Sequence, residues 1–207
     1  MRKKQRAGLL LLLCLCLSLL LSACTREELP ALQKMSPITY SHISGYEIQM
    51  PEAWTPETSD NGVQFLNPEG TIAINIISEL GGMDFYSLDE LMEMVVENLS
   101  QSGQDMQVEA NLDVADSGYQ RRQLISYTNA AEEKIYTDIW LYEPMAGIRY
   151  YIIISCGGDD YKDYSGMFDS VVQSFVFTGN SSEVYTLLNL PWEELAEKMK
   201  TGLQEVH

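Results

Sequence analysis

From Lys134 to Cys156 the chain reads Lys-Ile-Tyr-Thr-Asp-Ile-Trp-Leu-Tyr-Glu-Pro-Met-Ala-Gly-Ile-Arg-Tyr-Tyr-Ile-Ile-Ile-Ser-Cys. Two apolar runs, Lys134–Tyr142 and Ile148–Cys156, flank the turn Pro144-Met145-Ala146-Gly147. Turn residues between two such runs predict antiparallel strands, because Pro and Gly adopt backbone angles that end a strand and reverse the chain. Upstream the pattern repeats. Met106–Val114 alternates, Gly118 marks a turn, Gln120–Tyr127 alternates again, and Asn129-Ala130-Ala131-Glu132 supplies the next hairpin loop. Short strands joined by turns rather than helices give an antiparallel meander.

Before the meander, Tyr46-Glu47-Ile48-Gln49-Met50 alternates cleanly ahead of Pro51, as a strand with one buried face does. Val63–Leu66 and Ile72–Ile77 flank Asn67-Pro68-Glu69-Gly70, a second hairpin. The Ile72 run is apolar on both faces and predicts a central strand covered on each side. Ser87-Leu88-Asp89-Glu90 is a capping box, with Tyr86 and Leu91 placed as a hydrophobic staple, and it opens a helix that runs toward Gly103. Gly157-Gly158-Asp159-Asp160 ends the meander and opens a second helix, where either aspartate can cap. Its apolar face is Tyr161, Tyr164, Met167, Phe168, Val171, Val172 and Phe175. A third amphipathic helix follows Pro191, with Glu193 and Glu194 early, Lys198 and Lys200 late, and a stripe of Trp192, Leu195, Met199 and Leu203. That stripe needs a surface to pack on, in this domain or in a partner.

The N-terminus has a different texture. Met1-Arg2-Lys3-Lys4-Gln5-Arg6 precedes a leucine-rich run that ends in Leu21-Ser22-Ala23-Cys24. Cations, an apolar core and small residues before a cysteine form an export signal, and the last four residues resemble the lipobox of bacterial lipoproteins. The resemblance implies a signal peptide over 1–23 and diacylglyceryl attachment at Cys24. Two acyl chains anchor stably where one does not. Thr25 stands where an aspartate would resemble an inner-membrane retention signal. The divisions expected are signal 1–23, tether 24–37, a folded domain over 38–178 and a helical tail over 179–207.

Composition narrows the function further. The chain carries 13 basic and 30 acidic residues, a net charge of −17. Four of those cations lie within residues 1–23 and no acid does, so a chain starting at Cys24 has a net charge of −21. Such a field repels nucleic acid and anionic headgroups and attracts cations or a basic partner. Beyond Cys24 only Cys156 remains, at the end of an apolar run, which suits a buried, inert thiol. His42 and His207 are the two histidines, too few for a His-rich metal site or the usual triads. Asp159, Asp160 and Asp163 could offer oxygen ligands to a hard cation, but capping and helix-dipole effects explain acids at a helix start. Tyr136, Trp140, Tyr142, Tyr150, Tyr151 and Trp54 are expected in the core, and Arg121-Arg122 on the solvent face. No catalytic residue, cofactor or metal ligand is assigned.

Tyr46-Glu47-Ile48-Gln49-Met50-Pro51-Glu52-Ala53-Trp54, the Ser87-Leu88-Asp89-Glu90-Leu91 helix start and the stretch from Tyr161 to Phe175 together resemble the PsbP-like family of extrinsic modules. The resemblance covers about residues 38–178. It implies an α+β fold, an antiparallel sheet of about six strands packed by helices, and work as a non-catalytic binding or assembly subunit. The expectation is a lipid-anchored, extracytoplasmic envelope lipoprotein that binds a protein partner through its sheet face or C-terminal helix. The alternatives are a small-ligand or divalent-metal binder, and an enzyme that uses acids such as Asp159 and Asp160.

Overall fold

The structure, a computed structural model, describes residues 31–60, 62–81, 86–101, 103–111, 119–179 and 181–206. A short 3-10 helix, Ala31–Met35, leads into strands β1 (Pro37–His42), β2 (Tyr46–Pro51), β3 (Thr55–Thr58), β4 (Gly62–Leu66) and β5 (Ile72–Leu80). Helix α1 (Leu88–Ser100) is followed by β6 (Gln104–Asn111), β7 (Gln120–Thr128), β8 (Lys134–Met145) and β9 (Ile148–Gly157). Helix α2 (Gly158–Ser174), β10 (Val176–Phe177), α3 (Ser181–Leu188), α4 (Trp192–Thr201) and β11 (Leu203–Val206) complete the order.

The meander forms as expected, and Gly118, the turn expected between its first two strands, lies outside the described residues. β6, β7, β8 and β9 pair consecutively, and β9 then pairs antiparallel with β5. The full sheet has seven strands in the order β3-β4-β5-β9-β8-β7-β6. A second sheet has four strands in the order β10-β2-β1-β11. The α+β class is as expected, while the strands are more numerous and divided between two sheets. Of the strands without an expected counterpart, β3, β10 and β11 are edge strands of two to four residues, too short to carry a periodic signal, whereas β1 has six residues and lies between β2 and β11. Pro144 lies inside β8, where the β8–β9 register shifts between Tyr142 and Met145. A proline lacks an N–H and is tolerated at such a shift. In the Asn67–Gly70 turn, Gly70 takes φ +70° and the Asn67 side chain accepts from the Ile72 N–H at 2.8 Å.

Period-2 alternation sends Ile72, Ile74 and Ile76 of β5 and Ile148, Tyr150, Ile152 and Ile154 of β9 to one face. They meet Tyr46, Ile48 and Met50 of β2 and Met167, Phe168 and Val171 of α2 in the main core. Each such side chain removed from water contributes about 1.5–3 kcal/mol. The opposite face of the large sheet packs Ile125, Ile139 and Leu141 against Leu88, Leu91 and Met92 of α1. The capping box holds α1: the Glu90 N–H donates to Ser87 Oγ at 3.2 Å, and the Ser87 N–H donates to Glu90 Oε2 at 2.7 Å.

Four expectations change. Helix α2 is N-capped by Gly157 without a side-chain bond, so Asp159 and Asp160 lie in its first turn, where they face the helix dipole but do not cap. The expected tether is partly structured, since Leu32 of the 3-10 helix is 1% exposed within the main core. The expected tail is part of the domain: β11 pairs with β1, Val184 of α3 joins the core, and Ala196 and Met199 of α4 are buried. Met199 and Leu203 of the stripe therefore pack on their own domain, whereas Trp192 is exposed. Arg122 is buried rather than on the solvent face. It donates from Nε and Nη2 to the two oxygens of Asp138 at 2.9 and 2.6 Å, and Nη2 also meets Asp169 of α2 at 2.7 Å. Burial pulls the Arg122 guanidinium down, but the bonds and charges of Asp138 and Asp169 outweigh it and hold it protonated. Arg121 pairs with Asp89 of α1 at 2.5 Å.

Candidate functional site

Between α1 and α4 the outer face of the large sheet is left uncovered, and a cleft of about 470 Å³ opens there. The β5–β9 register builds its floor, with Ile77 opposite Tyr151 and Glu79 opposite Arg149, all facing outward by alternation. Leu91, Met94, Val95 and Asn98 of α1 form one wall. Trp192, Leu195 and Met199 of α4 form the other. Both sets recur at helical spacing, so each wall is one face of an amphipathic helix. The run from Ile72, expected to be covered on both faces, thus has Ile77 as cleft floor, and Ile77 is only partly buried.

Three large apolar residues at the cleft are open to water: Tyr86 at 39%, Met94 at 43% and Trp192 at 61% exposure. Isolated exposed apolar residues are ordinary, but several around one concave apolar surface mark a binding site. The Trp192 side chain was expected to pack with the rest of its stripe. Met199 is buried, Leu195 is partly buried on the cleft wall, and Trp192 stands at the rim.

A buried polar cluster lies at one end of the cleft. The Arg149 side chain, 3% exposed, has Nε 3.4 Å from Glu143 and Nη1 3.9 Å from Glu79, and Nη2 donates to the Tyr86 carbonyl at 3.4 Å. The Tyr151 hydroxyl donates to Glu79 Oε2 at 2.5 Å, and burial followed by this bond raises its pKa. Arg149 thereby ties the start of α1 to the sheet and fixes Tyr86 at the mouth. Lys200 of α4 meets Asp60 at 2.5 Å on the other side.

Beneath the cleft, His42 is buried. Its Nε2 faces the Met199 carbonyl at 3.0 Å, so this nitrogen carries the proton. Nδ1 then accepts from Ser44, whose Oγ is 2.7 Å away and in turn accepts from Ser78 at 2.8 Å. Burial lowers the His42 pKa, and the Met199 bond opposes it only in part. A carbonyl occupies the place where a catalytic triad has its carboxylate, and the imidazole is spent on holding α4 to the sheets.

The other sequence candidates disperse. Asp159 is fully exposed and lies 3.5 Å from Lys162, and no group of three metal-ligating side chains forms among the described residues. Cys156 is buried and its thiol is pushed up to about 12, first by burial. Trp54, Trp140 and Tyr150 are core residues. Tyr136 stacks on Tyr161, and Tyr142 on Trp140. Cys24 and the whole lipobox lie outside the described residues. Among the described residues no helix is long and apolar enough to cross a membrane.

No protein-family model matches the chain, and no curated protein matches it by sequence. Solved structures do share its fold. The solution structure of cyanobacterial PsbP from Synechocystis superposes with a TM-score of 0.56 at 12% identity, over 74% of this chain and 96% of that one. The Ran-binding protein Mog1p of Saccharomyces cerevisiae superposes with a TM-score of 0.54 at 11% identity, over 70% of this chain and 97% of that one. At such identities the likeness is one of fold. The PsbP-like fold expected from the opening strand, capped helix and closing helix is present.

Proposed function

We propose that this chain is a non-catalytic binding lipoprotein of the bacterial envelope, exported by residues 1–23 and held outside the cytoplasm by acyl chains on Cys24. The α1–α4 cleft is its binding site. The membrane is reached only through the anchor, nucleic acid is excluded by charge, and the partner is an envelope protein. The anchor reading rests on Leu21-Ser22-Ala23-Cys24 and the cationic, leucine-rich stretch before it. The binding reading rests on one observation: Tyr86, Met94 and Trp192 stand exposed around a single apolar cleft. A Ran-binding protein shares the fold, which is compatible with a binding role and identifies no partner here.

Photocrosslinkers placed singly at Met94, Trp192 and Val176 test the site in the membrane-tethered protein. Val176 is 53% exposed and does not line the cleft. Capture of the same discrete species from Met94 and Trp192, and not from Val176, is the expected result. Equal capture from all three positions, or none from any, would remove the cleft from consideration. For the anchor, Cys24→Ser releases the protein from membranes or leaves the precursor uncut; a cleaved, membrane-bound Cys24→Ser product would contradict it.

A further inference from the structure

Resting on that reading of the cleft, we propose that its occupant is a basic, amphipathic segment of a partner protein. An apolar side chain of that segment enters between α1 and α4, and the surrounding lysines or arginines face the acidic outer turns of α1.

Helix α1 carries Asp89, Glu90, Glu93 and Glu97 and neither lysine nor arginine. On a helix, residues three and four apart are neighbours, so Glu90 and Glu97 flank exposed Met94 on the cleft wall. Asp89 is taken by Arg121, and Glu90 by the capping box. Glu93 and Glu97 are exposed and make no ion pair among the described residues. The opposite wall is mixed, with Glu193, Glu194 and Glu197 beside Lys198 and Lys200 on α4. The cleft is lined by two carboxylates, Glu79 and Asp60, and its one guanidinium, Arg149, is flanked by Glu79 and, outside the lining, by Glu143. An anionic headgroup would therefore meet carboxylates both inside and at the rim. A cationic segment meets complementary charge in both places, and the net charge of −17 extends the attraction to longer range. Met94 and Met199 suit an occupant of variable side-chain shape, since an unbranched thioether adapts to what it touches. Apolar residues in a groove with charges around them are the usual terms on which an amphipathic helix is bound.

The test titrates the full chain, in zwitterionic detergent, with three tryptophan-free helical peptides that share one leucine stripe and carry lysine, glutamine or glutamate elsewhere. Trp192 reports the contact, since Trp54 and Trp140 are buried. The lysine peptide should blue-shift the emission and bind about tenfold more tightly than the glutamine peptide, an advantage that high salt abolishes. The paired substitution Glu93→Lys with Glu97→Lys, at exposed positions, should remove that advantage and leave glutamine-peptide affinity unchanged. Met94→Asp should weaken both. Equal binding of lysine and glutamine peptides, or an advantage that survives the double reversal, would overturn the basic-partner inference and leave the cleft as a binding site. Failure of all three peptides and of an apolar fluorophore to bind would overturn both. Binding of the lysine peptide that is indifferent to Met94→Asp would place it elsewhere and also defeat the inference.

Discussion

Arg122→Ala is the substitution whose cost the structure specifies best. Asp138 is 1% exposed, and Arg122 covers both of its oxygens in a fork between the sheet and α2. Removing the guanidinium leaves a buried carboxylate with no cation, which costs about 3–5 kcal/mol. For a domain of this size, each kcal/mol lowers Tm by roughly 2–4 °C, so the midpoint should fall by about 6–20 °C. Asp169 also touches Arg122, but its side chain is half open to water, and Asp169→Ala should cost about 0.2–1 kcal/mol. The combined replacement Arg122→Met with Asp138→Leu should recover most of the loss, because no charge then remains buried. The pH dependence carries a sign of its own. Burial already raises the Asp138 pKa, and without Arg122 it rises further, so the folded variant takes up a proton before the unfolded chain does. The deficit of Arg122→Ala is therefore greatest near neutrality and shrinks as pH falls toward about 4. Thermal denaturation followed by circular dichroism between those limits measures all of this. An Arg122→Ala variant no less stable than Asp169→Ala would refute the reasoning, as would a deficit that grows on acidification.

Burial lowers the His42 pKa in the fold below the value of about 6.5 in the unfolded chain, so its contribution is complete above that pH and declines below it; His42→Gln should flatten this part of the stability profile, and an unchanged slope would count against the lowered pKa. Ser87→Ala removes the acceptor for the Glu90 N–H and should cost about 1 kcal/mol in urea titrations. Cys156, raised to about 12 and buried, should be inert to Ellman's reagent in the native state and react promptly in denaturant; rapid native labelling would contradict its burial. A Cβ at Gly62 would collide with the Ile76 carbonyl oxygen across the β4–β5 pair, so Gly62→Ala should fail to fold or lose several kcal/mol, measurable by the same melts.

What could be read in advance divides along physical lines. Local signals survived. Ser87 and Glu90 lie three apart and bond each other, and Asn129 closes its own loop by accepting from the Ala131 and Glu133 N–H groups. Such contacts need no tertiary context. The split into two sheets had no comparable signal, since β11 is four residues, Leu-Gln-Glu-Val, with a single partly buried side chain at Leu203. Arg122 looked like a surface cation because its partners, Asp138 and Asp169, are distant in sequence and are brought to it only by the fold. For the cleft, each wall was visible as an amphipathic stripe, but not that the two stripes stand apart over bare sheet. One hint was available: Arg149 interrupts the most apolar strand of the chain, and a charge there requires partners or a function.

The pairing of β1 with β11 sets Thr39 beside Val206 and His42 beside Leu203. Strand β1 is thus interior to its sheet only when the C-terminal segment has arrived. In a chain exported as proposed, everything between these strands must cross the membrane before that sheet can close. Until then β1 offers an open edge, a template for the wrong neighbour. Completion of the domain accordingly falls after translocation rather than during it. An exported chain stalled upstream of Leu203 would be recognisable to an envelope protease by that unfilled edge.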